Sequence, residues 1–136
     1  MKTIIRAAFE KTLADWAAAQ TPKIPVAYEN VAFTPPATGP YLRCFLLPAD
    51  TADNTMAGQL SEYRGLFQVN VVCPAGTGPT AAEALTAAIT ALYPAKSRLS
   101  FGGQAVMIAT PMRERPALQD VNAFVIPMDC KYCLVV

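Results

Sequence analysis

The sequence predicts an α+β fold, a mainly antiparallel β-sheet with two α-helices packed on it, in the order α-β-β-β-α-β-β-β. Three observations predict it. Two segments space their apolar residues at the 3.6-residue period of a helix, while those between and after them alternate apolar and polar at the period of a strand. Helix, strands, helix, strands is the order expected of an α+β domain. A length of 136 residues fits one core and is short for two, so residues 1–136 are read as one domain.

The first helix is read from TIIRAAFEKTLADWAAAQ. Ile5, Phe9, Leu13, Trp16 and Gln20 share one stripe, and Arg6, Glu10, Lys11 and Asp15 fall elsewhere around the axis. Thr21-Pro22 closes it. After Pro25, VAYENVAF reads as a short strand from its β-branched and aromatic content, and PPATGP as a stiff turn. YLRCFLLP sets Leu42, Cys44 and Leu46 against Tyr41, Arg43, Phe45 and Leu47, and YRGLFQVNVVCP sets Phe67, Val69, Val71 and Cys73 against Gln68, Asn70 and Val72. Both read as strands with an apolar inner face. Between them ADTADNTMAGQLS, 13 residues, is longer than a hairpin needs, and loops of that length are usually functional or disordered. Within it Asp53, Asn54, Met56 and Gln59 are candidate contact residues.

The second helix is read from TAAEALTAAITALYP, with two available starts. Thr80 and Glu83 have capping-box spacing, and Pro79 after Gly78 suits a first turn. Leu85, Ala88, Ile89 and Leu92 form its core stripe. Glu83, Thr86, Ala87 and Thr90 are read as the opposite side, dry enough to touch a neighbour. Beyond Pro94, Gly102-Gly103 between two apolar runs signals a hairpin, because paired glycines accept the positive φ of tight turns. NAFVIPMDCKYCLVV is strand-like, and Pro127 within it implies an edge position or a bulge because it cannot donate a ladder hydrogen bond.

Composition narrows the function. Hydrophobic residues make up 53% and charged residues 15%, against about 25% charged in an ordinary soluble domain. A charge-poor exterior leans towards coverage by partner subunits. The net charge is +1 and the eleven Lys and Arg are scattered along the chain, which argues against sequence-specific nucleic-acid binding. No apolar run reaches the length of a membrane span. The expectation is a protein made in the cytoplasm, with its four cysteines as free thiols.

The chemical motifs read as structural. Cys130-Lys131-Tyr132-Cys133 is a C-x-x-C pair, but on a strand the two thiols take opposite faces roughly 10 Å apart at about 3.3 Å per residue. That fits neither a shared zinc nor a disulfide. PAGTGPT leads into a helix but lacks the lysine of a phosphate loop. Without any histidine, no Ser-His-Asp or Cys-His arrangement exists, and no spacing among the acids requires a catalytic pair, so no enzyme activity and no cofactor or metal is expected. Arg113-Glu114-Arg115 before Pro116 reads first as a solvated turn and secondly as a contact site, which makes Arg113 and Arg115 candidates.

IPVAYENVAFTPPATGPYLRCFLLPAD, followed after the polar loop by YRGLFQVNVVCPAGTGPTAAEALTAAITALYP, resembles the tail-terminator-like proteins of long-tailed bacteriophages. The order of these stretches carries the resemblance, which runs from the first helix through the second. It implies a structural virion protein with no catalytic residues. Such proteins form a ring, commonly a hexamer, that caps the tail tube, halts its polymerisation and offers a surface for joining the head. The implied partners are further copies of the chain, the tail tube protein and a head-tail connector protein, with no membrane. The implied location is the virion tail, after synthesis in the bacterial host's cytoplasm. A neck or head-completion protein would share this ring geometry. A small-molecule-binding α+β domain would instead need a deep polar pocket, and a zinc module would need bound metal.

Overall fold

Helix α1 (Lys2–Ala18) turns Ile5, Ala8, Phe9, Leu13 and Ala17 into the core, as the helical period requires, and Trp16 lies half-buried at its margin. The structure, a computed structural model, describes residues 2–49, 52–53, 61–76 and 78–135. Strand β1 (Val26–Ala27) runs parallel to β2 (Tyr41–Pro48). Strand β2 is antiparallel to β4 (Ser61–Pro74), with Cys44 opposite Val69. Strand β3 (Ala52–Asp53) pairs with the start of β4.

After α2 (Thr80–Leu92) come the hairpin β5 (Arg98–Phe101) and β6 (Gln104–Ile108), the two-residue strands β7 (Arg113–Glu114) and β8 (Leu118–Gln119), and β9 (Ala123–Val135). Among the described residues the sheet order is β1-β2-β4-β9-β6-β5, with β3 beside β4 and β7 and β8 beside β9. Its spine is the β4–β9 pair, matched from Glu62 opposite Val135 to Pro74 opposite Ala123. All but the β1–β2 pairing are antiparallel, so the predicted α+β class and helix order hold.

Both helices cover one face of this sheet. Phe9 of α1 stacks on Phe67 of β4 at 4.6 Å between ring centroids, and Tyr93, just past α2, and Tyr132 of β9 each lie 5.7 Å from the Phe9 ring. The Tyr93 hydroxyl donates to the Phe9 carbonyl at 2.9 Å. Four elements therefore meet at one aromatic cluster whose buried hydroxyl is satisfied.

Several sequence expectations change. VAYENVAF is a strand only at Val26–Ala27. The cause is Glu29, whose Oε1 accepts the Leu46 backbone N–H at 2.6 Å and the Arg6 guanidinium at 2.7 Å. A side chain thus takes the β2 donor that a longer β1 would have used. The backbone hydrogen bond and the guanidinium hold the Glu29 carboxyl below its ordinary pKa. The Thr80–Glu83 capping box does not form. Pro79 occupies the N-cap, and its carbonyl accepts the Glu83 N–H at 2.9 Å.

The Gly102-Gly103 turn forms as expected, with φ of 58° and 79° joining Phe101 to its partner Gln104. Pro127 sits mid-sheet opposite Asn70, not on an edge. Its carbonyl accepts from Arg115 N at 2.7 Å, so its nitrogen also points away from β4. There it meets the break between β7 and β8, where the sum of paired residue numbers steps from Arg113 with Asp129 to Leu118 with Val125. The missing donor falls where the neighbouring ladder is interrupted, which satisfies the bulge alternative on the facing segment.

Candidate interaction surface

On the outward side of α2 the exposed positions are Thr80, Ala81, Glu83, Ala84, Ala87 and Ala91. Of the four residues expected on this side, Glu83 and Ala87 are exposed there, but Thr86 does not belong to it. Thr86 is fully buried in line with Ala82 and Ile89, and its hydroxyl donates to the Glu83 carbonyl at 2.9 Å and to the Glu114 carboxylate. Its period from Ala82 and Ile89 puts it inward, and the Glu114 acceptor makes that burial affordable. Thr90 is half-buried, with its hydroxyl on the Thr86 carbonyl at 2.9 Å.

The Arg113-Glu114-Arg115 segment is exposed, as expected, but begins as a strand and is not a turn. Arg113–Glu114 is a strand against β9, and Glu114 reaches inward to Thr86. Arg115 grips Asp129 with two hydrogen bonds of 2.7 and 3.1 Å, and Arg113 approaches the same carboxylate at 3.7 Å. Both candidate arginines thus stand on the other face of the sheet. Of the loop candidates, Asp53 lies in β3, paired with Ser61; Asn54, Met56 and Gln59 lie outside the described residues, as does the rest of the loop from 54 to 60.

Among the described residues that second face carries no helix. The alternation that buries Phe67, Val69 and Val71 turns Arg64, Leu66, Gln68 and Asn70 outward, with Arg43, Phe45 and Leu47 on one side and Asp129, Lys131 and Cys133 on the other. Cross-strand register adds Met107 beside Cys133 and Arg98 beside Met107. Six of the eleven basic residues (Arg43, Arg64, Arg98, Arg113, Arg115 and Lys131) stand on this face, with Asp129 and Glu62 as its described acids. Charge scattered along the chain becomes gathered by the pleat.

The face is not uniform. At the end where β2 begins, the segment after β1 folds back over it: Phe33 meets Tyr41 at 5.3 Å, the Arg43 guanidinium lies 5.5 Å from the Tyr41 ring, and Val72 is buried. Towards the other end Leu47 is 45% exposed, and a hollow of about 290 Å³ opens beside Arg64 and Lys131. Sequence reasoning missed this surface, although the alternation it used to choose core residues names the outward set as well.

The structure places the groups that the chemical alternatives would use. Cys130 is buried opposite Phe67, while Cys133 takes the other face opposite Arg64. Burial pushes the thiols of Cys44 and Cys130 each up to about 12, so both stay protonated at neutral pH. A carboxylate pair does come together in a groove of about 770 Å³ along α1, where Arg6 bridges Glu29 at 2.7 Å and Glu10 at 3.6 Å. Burial raises the Glu10 carboxyl against the pull of Arg6. Because the guanidinium sits between the two acids and Glu29 also holds the β2 backbone, this cluster clamps α1 to the sheet edge.

The described residues form a two-layer α+β domain with helices on one sheet face and an alanine-rich outer side on α2. The family model for phage tail terminator protein matches residues 4–132. The chain belongs to the phage tail terminator protein family, a family of structural virion proteins, which makes it a bacteriophage tail component. It is also similar to a solved structure that carries no functional name, at 43% identity and a TM-score of 0.84 over 98% of this chain and 95% of that one. No curated protein matches it.

Proposed function

We propose that the chain assembles into a ring, six copies in the form its family resemblance implies, that caps the tail tube, ends its polymerisation and gives the head a joining surface. The observation that carries this reading is the family match across residues 4–132. The fold is compatible with it. A ring needs two different flanks on each subunit, because its contacts are heterologous. The outward side of α2, with Ala81, Ala84, Ala87 and Ala91 around the one charge of Glu83, supplies a flank that can approach a neighbour closely at little desolvation cost. The partners in this reading are copies of the chain, the tail tube protein and a head-tail connector protein.

Oligomeric mass measured across concentration, with and without tail tubes, tests the reading. The expected result is a climb to a ring that Ala87→Arg prevents while the subunit still folds. An unchanged ring in Ala87→Arg would remove α2 from the interface. A wild-type chain that forms no ring at any concentration, even with tubes present, would overturn the ring itself.

A further inference from the structure

We propose that the uncovered end of the bare sheet face is the docking site for a different protein, one whose contacting segment is acidic and places an apolar side chain in the hollow beside Arg64 and Lys131. The proposal rests on the assembly role above and names the chemistry of one partner in it.

Three observations select this occupant. First, the cations at this end have no ion-pair partner among the described residues: Arg64, Arg98 and Lys131 are exposed, whereas Arg113 and Arg115 are committed to Asp129. Arg64 pairs across with Cys133, two residues from Lys131, so the two residues are diagonal neighbours roughly 7–8 Å apart on the same face. Second, the surface between them is apolar. Leu66, Ala109 and Cys133 line the hollow, with Glu62 at its edge accepting from the Cys133 thiol at 3.5 Å, and Leu47 beside Leu66 is 45% exposed. A phosphate backbone would satisfy the cations and leave this apolar area in water, so a protein fits better than a nucleic acid.

Third, a second copy of this chain is a poor complement. Among its described acids Glu10 and Glu29 are engaged with Arg6, Asp15 with Lys11, Glu114 with Thr86, Asp129 with Arg113 and Arg115, and Asp120 with the Val121 N–H, while the exposed Glu83 belongs to the α2 flank. The nearly uncharged α2 flank supplies one of the two copy-to-copy surfaces, and a copy offers the basic face few free acids as the other. The basic face is then left for another protein, with charge steering the encounter and the hollow providing the anchor.

The test uses the full chain and the double variant Arg64→Glu with Lys131→Glu. Both positions are exposed, and thermal melting checks that the variant folds. Each protein is measured for oligomeric mass, for binding to tail tubes from the virus that encodes it, for binding to a random glutamate–leucine copolymer, and for binding to short duplex DNA. The proposal expects wild-type oligomeric mass in the variant, with tube and copolymer binding weakened roughly tenfold or more and the wild-type binding falling with salt. Unchanged binding of tubes and copolymer by the variant overturns it. So does loss of self-association in a folded variant, which would give the face to a second copy, or duplex binding that the variant alone loses, which would give it to nucleic acid. If the wild-type chain forms no ring, the assembly reading falls, and the copolymer comparison alone decides this proposal.

Discussion

The covered and the bare face of the sheet are built by the same strands from alternate residues, yet they differ in kind. On β4 and β9 the covered side holds Phe67, Val69, Val71, Ile126, Met128, Cys130 and Tyr132, all buried in one cluster with both helices. The bare side of the same strands mixes Glu62, Arg64, Gln68, Asn70, Asp129 and Lys131 with Leu66, Val72, Val125, Pro127, Cys133 and Val135. A strand cannot slip by one residue without exchanging these sets, so the aromatic cluster that stabilises the subunit also determines which cations face outward. The core and the outward cations are thus specified together, one residue apart.

The comparison can be broken most forcefully at Phe9. Phe9→Ala empties the centre of the aromatic cluster and is expected to cost about 3–5 kcal/mol, read from urea unfolding. A loss below about 1 kcal/mol would mean that the covered face is not the main source of stability. Gly65→Ala comes next. A Cβ there would lie 2.5 Å from the Leu47 carbonyl oxygen and 2.7 Å from the Tyr132 hydroxyl, so β2 and β4 must shift apart at a cost of about 1–3 kcal/mol. An unchanged unfolding midpoint would show that the strands are looser at this end than the spacing implies.

The smallest effect belongs to the bare face. Asp129→Asn weakens the grip of Arg115 and Arg113, side chains about half exposed, and solvent screening limits the expected loss to about 1 kcal/mol. A loss as large as that of Phe9→Ala would erase the distinction between the faces and make the Asp129 cluster part of the folding core.

The residue sequence by itself determined the two helices, the long strands and their inner faces, because period 3.6 and period 2 are local properties of the chain. It also determined the Gly102-Gly103 turn, where backbone freedom is a property of the residue. Through the order of its motifs it pointed to the family. What it could not decide were matters of contact between distant segments. Glu29 ends β1 only because Arg6 and the Leu46 N–H are within reach, and the acceptor for the buried Thr86 hydroxyl, Glu114, arrives from a strand 28 positions later. Pro127 is tolerated mid-sheet because its nitrogen meets an interruption between β7 and β8. The basic face was equally hidden: its six cations are spread from Arg43 to Lys131 along the chain and become neighbours only through strand register. Periodicity says which way a side chain points, and only the tertiary pairing of strands says what it points with.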